Sequence, residues 1–276
     1  MKKFLALTLA LVMSLSLVAC GDKKTDDTKT DEPDQKTEQP AENEGAYKVA
    51  MITDYGDITD QSFNQTTYEA CKAFAEDNGV EFSYFKPAGD NTADRVAMIE
   101  KAADEGYNVI VMPGYAFGGA IVEAAPEFPD VKFIALDVAA GDLLETAVAN
   151  AGESYDYNPS NWDLNKYVDM SNVYCAVYQE ELCGYMAGYA AVKLGYKNLG
   201  FLGGMAVPAV VRYGYGFVQG VDAAAADLGL TDVSLNYVYG GQFFGDADIT
   251  AVMDTWYAGG TEVVFACGGG IYTSAV

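Results

Sequence analysis

The sequence predicts an α/β protein of two lobes, each a parallel sheet flanked by helices. Three observations predict it. Short β-rich runs alternate with amphipathic stretches of helix length along residues 47–276, the pattern of repeated βαβ units. The alternation breaks in a polar stretch at 139–171 and restarts near residue 179, so the economical division is a lobe at 47–178 and a second at 179–276. The turn after the first apolar run is crowded with polar and aromatic side chains, and the carboxyl ends of strands are where open α/β sheets bind ligands. A single doubly wound sheet of ten strands is the alternative.

The predicted strands of the first lobe are 48–53 (KVAMIT), 81–86 (EFSYFK), 108–113 (NVIVMP) and 132–137 (KFIALD). Helical spacing fills 62–78, 91–106 and 117–128, and Asn78-Gly79 and Glu105-Gly106 are helix stops. The stretch 139–171 is rich in Asn, Asp, Ser and Tyr and reads as a short strand followed by a loop insertion. Then follow strand 172–178, helix 180–194, strand 198–203, helix 208–228, strand 233–239, helix 246–258 and strand 262–267. By this count the second lobe holds about three strands and is expected to be incomplete at its C-terminus.

The first twenty residues are read as a signal peptide and not as part of the fold. Lys2 and Lys3 precede an apolar run from Phe4 to Val18, too short for a comfortable membrane span. The run ends in Leu17-Val18-Ala19-Cys20, which resembles a bacterial lipobox; in that reading Cys20 carries lipid and anchors the protein to a membrane without spanning it. An ordinary signal peptide with an incidental cysteine is the alternative. Residues 21–46 contain no large apolar side chain, so they read as an acidic, disordered tether holding the body roughly 25–30 Å from its anchor.

Composition excludes several functions. Asp and Glu number 40 against 16 Lys and Arg, a formal charge of −24, and such a field repels nucleic acid and anionic headgroups. There is no histidine, which removes Ser-His and Cys-His nucleophiles and the usual zinc sites. Cys71, Cys175, Cys183 and Cys267 form no CxxC pair and read as small buried hydrophobes. No spacing specifies a metal site, and no cofactor or catalytic residue is predicted.

Candidate ligand residues follow from position. Asp54 and Asp137 end the first and fourth strands, where carboxylates can accept paired hydrogen bonds from hydroxyl or N–H groups. Asn64 can donate and accept, which suits a purine edge. Asp60 lies before the first helix and either caps it or meets the ligand. Tyr115 and Phe117 follow the third strand as wall residues, and Glu181 opens the second lobe's first helix, facing either the cleft or only its own surroundings. Gly268–Gly270, with Gly269 at the centre, would let backbone N–H groups approach a ligand, although a turn is the default. Phe63 is either a platform for a flat ligand or a staple on its own helix.

Three stretches resemble a known family. TDYGDITDQSFNQ, residues 53–65, resembles the acidic opening of the basic membrane protein family, which ends in Ser-Phe-Asn. YQEELCGYMAGYAAVKLGYKNLGFLGGMAVPAVVRYGYGFVQG, residues 178–220, is similar to the family's second conserved segment, and GGTEVVFACGGG at 259–270 is a weaker match. Members are substrate-binding lipoproteins of ABC importers, related to purine nucleoside receptor lipoproteins. The resemblance implies a two-lobed periplasmic-binding-protein-like fold of type I, with ligand held between lobes that close on it. It implies that Phe63, beside Ser62, stacks on a nucleoside base and that Tyr213 supplies the opposite face, with Tyr215 and Phe217 competing for that role. It further implies permease and ATPase partners, a location on the extracytoplasmic face of the cell membrane, and solute capture without covalent chemistry. A flavin or another flat heterocycle, or an enzyme acting on nucleosides, remain the rival ligand and activity. The insertion at 139–171 is longer than the family pattern.

Overall fold

The computed structural model describes residues 47–276; the signal segment, Cys20 and the tether at 21–46 lie outside the described residues. Two parallel sheets organise the chain. The first has the order β2-β1-β3-β4-β5, from β1 (Lys48–Ile52), β2 (Glu81–Phe85), β3 (Val109–Pro113), β4 (Lys132–Leu136) and β5 (Val173–Ala176). The second has the order β7-β6-β8, from β6 (Asn198–Gly203), β7 (Ser234–Tyr239) and β8 (Val263–Cys267). All paired strands are parallel.

Interior strands carry near-continuous apolar runs because both their faces are covered. Ala50, Met51 and Ile52 of β1, Ile110 and Met112 of β3, and Phe201 and Leu202 of β6 are fully buried. Edge strands β2 and β7 mix exposed and partly buried side chains instead, with Phe85 of β2 the buried one.

Seven helices make the crossovers among the described residues: α1 (Phe63–Asn78), α2 (Thr92–Asp104), α3 (Gly118–Ala124), α4 (Ala140–Asn150), α5 (Glu180–Lys193), α6 (Pro208–Leu228) and α7 (Ala247–Ala258). Their ends follow local chemistry. Asn91 accepts from Asp94 N at 2.9 Å and Asp246 Oδ1 accepts from Ile249 N at 2.8 Å, capping α2 and α7. Pro208 starts α6, and Gly79 and Gly229, at φ 64° and 65°, end α1 and α6 in the left-handed region.

The strand expected in 139–171 is a helix. Leu143, Leu144, Ala147 and Val148 are buried on one side of α4, a spacing of three to four that suits a helix and not a strand. Asp142 Oδ2 accepts from Ala139 N at 2.7 Å and fixes the first turn. The remainder is loop with two short 3₁₀ turns, Pro159–Asn161 and Leu164–Lys166. The expected helix at 117–128 is shorter, running Gly118–Ala124 behind a 3₁₀ turn at Tyr115–Phe117.

Helices α5 and α6 approach backbone to backbone. A Cβ on Gly184 or Gly188 would strike the carbonyls of Tyr213 or Phe217, and one on Gly216 or Gly220 would strike those of Glu181 or Tyr185. Four glycines therefore set the distance between the two helices, and with it the place of the cavity residues they carry.

Candidate functional site

Both sheets open onto the same cavity at their switch points. In the order β2-β1-β3-β4-β5 the chain reverses direction between β1 and β3; in β7-β6-β8 it reverses between β6 and β8. Crossovers leave a crevice at such points, beyond the strands' carboxyl ends. A cavity of about 460 Å³ lies there. Asp54, Gly114 and Tyr115 reach it from beyond β1 and β3, Asp137 from beyond β4, and Cys267, Gly268 and Gly269 from the end of β8. Val207, Val210 and Tyr213 bring the start of α6, and Phe243 comes from the loop after β7.

The turn at 53–65 is tied by side-chain hydrogen bonds. Asp54 Oδ1 accepts from Tyr55 N at 2.5 Å, Gly56 N at 2.6 Å and Asn64 Nδ2 at 2.9 Å. Asp60 Oδ1 accepts from Ser62 N at 2.8 Å and Gln65 N at 3.1 Å, and its Oδ2 accepts from Asn64 Nδ2 at 2.9 Å. Asp60 thus caps α1 from outside the helix, while Ser62, the residue at the cap position, makes no side-chain cap bond. Gly56 is required: a Cβ there would lie 2.6 Å from Asn64 Nδ2.

Of the expected ligand residues, Asp54, Asp60, Ser62, Phe63, Asn64, Tyr115, Asp137, Tyr213 and Gly269 line the cavity. Phe117 does not. It is fully buried at the end of its 3₁₀ turn, with the Arg95 guanidinium 5.7 Å from its ring centroid, because two residues of so tight a turn carry Tyr115 and Phe117 to different sides. Glu181 does not line the cavity either; Glu180 does. Successive helical residues point about 100° apart, so only one of the pair can face inward. Asn64, only 3% exposed, commits both amide hydrogens to Asp54 and Asp60 and its oxygen to Asp54 N.

Three lining aromatics, Tyr178, Phe243 and Phe265, were not among the expected residues. Phe243 stands 6.5 Å from Tyr115, ring to ring, and Tyr178 makes an edge contact with Phe63 at 6.3 Å. Phe243 sits in GGQFFGD, and adjacency alone does not separate it from exposed Phe244; only its position beyond a strand's carboxyl end pointed to it. A Cβ on Gly268, at φ 125°, would lie 2.7 Å from the Phe243 ring, so this glycine makes room for the aromatic wall.

The lining residues include four carboxylates, Asp54, Asp60, Asp137 and Glu180, and no Lys or Arg. Burial, then the neighbouring Glu180, pushes the Asp137 carboxyl up to about 6, while Arg212 opposes the rise. Burial pushes the Tyr213 phenol up to about 12, so it stays a neutral donor at physiological pH. Among the described residues no group of three or more Cys, Asp or Glu is placed to hold a metal ion. The cavity is suited to a flat, uncharged or cationic solute that stacks on aromatics and donates hydrogen bonds.

Comparison with solved structures agrees on the fold. A solute-binding protein of an ABC transporter system from Aeropyrum pernix K1 superposes with a TM-score of 0.62 at 20% identity, over 83% of this chain and 56% of that one. The chain belongs to the Bmp family, the PnrA-like ABC transporter substrate-binding proteins, whose model matches residues 47–275. The family is one of binding proteins and not of enzymes. An ABC transporter nucleoside-binding protein BmpA from Lactococcus lactis is 25% identical over 82% of this chain and 56% of its own length. An uncharacterized lipoprotein from Pyrococcus abyssi is 26% identical over 73% of this chain and 44% of its own. The chain thus spans about half the length of these two relatives.

Proposed function

We propose that the protein captures a purine nucleoside at the extracytoplasmic face of a membrane and delivers it to the permease and ATPase of an ABC importer. The observation that carries this is the composition of the cavity wall. Phe63 and Tyr115 come from the first sheet's side and Tyr213 and Phe243 from the second's, around carboxylates with no lining cation. Aromatic faces hold a planar base, and ionised or half-ionised carboxylates accept from ribose hydroxyls. The same carboxylates disfavour a phosphate, which separates nucleosides from nucleotides. The nucleoside-binding name of the Lactococcus relative supports the ligand class.

In this reading the two lobes, 47–178 and 179–276, close on the ligand as a clamp. Asp54 and Asp137 read hydroxyl or N–H donors, Phe63 and Tyr213 sandwich the base, and Gly269 offers backbone. Lipid on Cys20 holds the protein at the membrane, in keeping with the lipoprotein name of the Pyrococcus relative. Mass spectrometry of small molecules released from the purified full chain tests the proposal. Intact nucleoside supports it; free base with ribose, or a flavin, overturns it.

A further inference from the structure

We propose that Arg212 is a positioning residue: it ties the first turns of α6 to the carboxylates of the cavity wall, and so sets where Tyr213 and Asp137 stand for the ligand. The proposal rests on the nucleoside reading for its ligand probe alone. Arg212 does not line the cavity, but the next residue, Tyr213, does. Arg212 Nε donates to Glu180 Oε2 at 2.6 Å, and its Nη2 lies 3.7 Å from Asp137 Oδ1. Asp137 follows β4 of the first sheet and Arg212 rides on α6, which packs against the second. Among the ion pairs of the described residues, Arg212–Asp137 is the one that joins these two halves.

The arrangement follows from electrostatics. The Glu180 side chain is 4% exposed and that of Asp137 is 16% exposed. Two neighbouring carboxylates so poorly hydrated repel each other unless a cation stands between them. A guanidinium can address both through separate N–H groups, which the compact ammonium of lysine does less well. Asp137 also adopts φ 58°, a backbone conformation uncommon for a residue with a side chain, so its carboxylate is held where neighbours over-determine it.

The charged groups facing Asp137 are Glu180 from α5, Arg212 from α6 and Asp142 from α4, and the phenols of Tyr178 and Tyr213 lie in the same field. Asp142 is itself pushed up by burial and adds to the repulsion when ionised. Above about pH 6 Asp137 is ionised and the tie has both anchors; in more acid solution Asp137 protonates and one anchor is lost. Ligand binding should therefore weaken across that range.

Two measurements on the full chain test this. Carbon-detected NMR of the Asp137 carboxyl, without ligand, should find a midpoint near 6. In Arg212→Gln it should rise by about one pH unit or more, because the opposing cation is gone. Arg212→Lys should show a smaller rise and carries the test if Arg212→Gln does not fold. An unchanged midpoint in the folded variants overturns the proposal whatever the ligand. In the second measurement, inosine titrated calorimetrically near neutral pH should bind at least about tenfold more weakly to Arg212→Gln, with partial rescue by Arg212→Lys. Equal affinity in parent and variants overturns the proposal. If the parent does not bind inosine at any pH, the nucleoside reading fails and the carboxyl titration still decides the role of Arg212.

Discussion

Asn64 and Asp54 hold each other by two hydrogen bonds: Asn64 Nδ2 donates to Asp54 Oδ1 at 2.9 Å, and Asn64 Oδ1 accepts from Asp54 N at 3.2 Å. The pair closes the turn between β1 and α1, whose Asp54, Asp60, Ser62 and Phe63 line the cavity. Asn64 acts as the turn's internal strut. Asn64→Ala should lower stability by about 1–3 kcal/mol, because it leaves a buried N–H and two carboxylate oxygens short of partners. Chemical denaturation measures it, and a loss below about 0.5 kcal/mol would contradict the role.

The cap of α1 makes a paired prediction. Asp60→Ala should cost about 1–2 kcal/mol, since its two oxygens serve the N–H groups of Ser62, Asn64 and Gln65. Ser62→Ala should cost only a few tenths, because its hydroxyl makes no cap bond. The reverse order in thermal unfolding would show that the helix is capped from Ser62.

Helix propensity and packing pull Gly216→Ala in opposite directions. Alanine favours an exposed helix by roughly 1 kcal/mol over glycine. Here its Cβ would meet the Glu181 carbonyl of α5, backbone against backbone, which cannot yield as a flexible side chain can. We expect a net loss of about 1–3 kcal/mol, read as a lower denaturation midpoint. A gain would mean that the two helices separate freely.

Asp137→Asn should raise stability near neutral pH while weakening ligand binding. The folded protein holds this carboxyl at about 6, above its ordinary value of 3.8, so folding favours the protonated form. Between those values the folded state binds more protons than the unfolded one, and stability falls as pH rises through the window. Above it the full cost of ionisation is present. The melting temperature of Asp137→Asn relative to the parent should therefore increase from about pH 4 to about pH 7. A constant difference, or one that shrinks as pH rises, would contradict the burial of this charge.

The repeating strands and helices were legible in the sequence because parallel sheets bury both faces of their inner strands, so VAMI and VIVM stand out from polar surroundings. The helix α4 was obscured because its apolar face spans only Leu143, Leu144, Ala147 and Val148 before a polar loop resumes. The cavity-lining residues just past strand ends, Asp54 and Asp137, were legible from topology, which sends such residues toward the crevice. Glu180 and Phe243 were not. Choosing between Glu180 and Glu181, or between Phe243 and Phe244, needs a backbone direction that one residue of register reverses. The ion pair of Arg212 with Asp137 joins residues 75 positions apart, and local pattern carries no trace of it.

Phe63 is the platform on which the base is proposed to stack. Phe63→Ala should weaken nucleoside binding by ~1–3 kcal/mol, roughly ten- to a hundredfold, through lost stacking and burial. Calorimetry with inosine, adenosine and guanosine measures it. Unchanged affinity for all three, with tight binding by the parent, would leave this turn as a helix cap alone.

Nucleoside capture itself is tested most directly by calorimetric titration of the full chain with inosine and with inosine monophosphate under the same low-salt conditions. The cavity wall presents Asp54, Asp60, Asp137 and Glu180 and no lining cation. Inosine should bind saturably at one site, and the monophosphate at least about a hundredfold more weakly, because its dianion meets carboxylates without a counter-charge. Equal or tighter binding of the monophosphate, or no binding of inosine, would contradict the account.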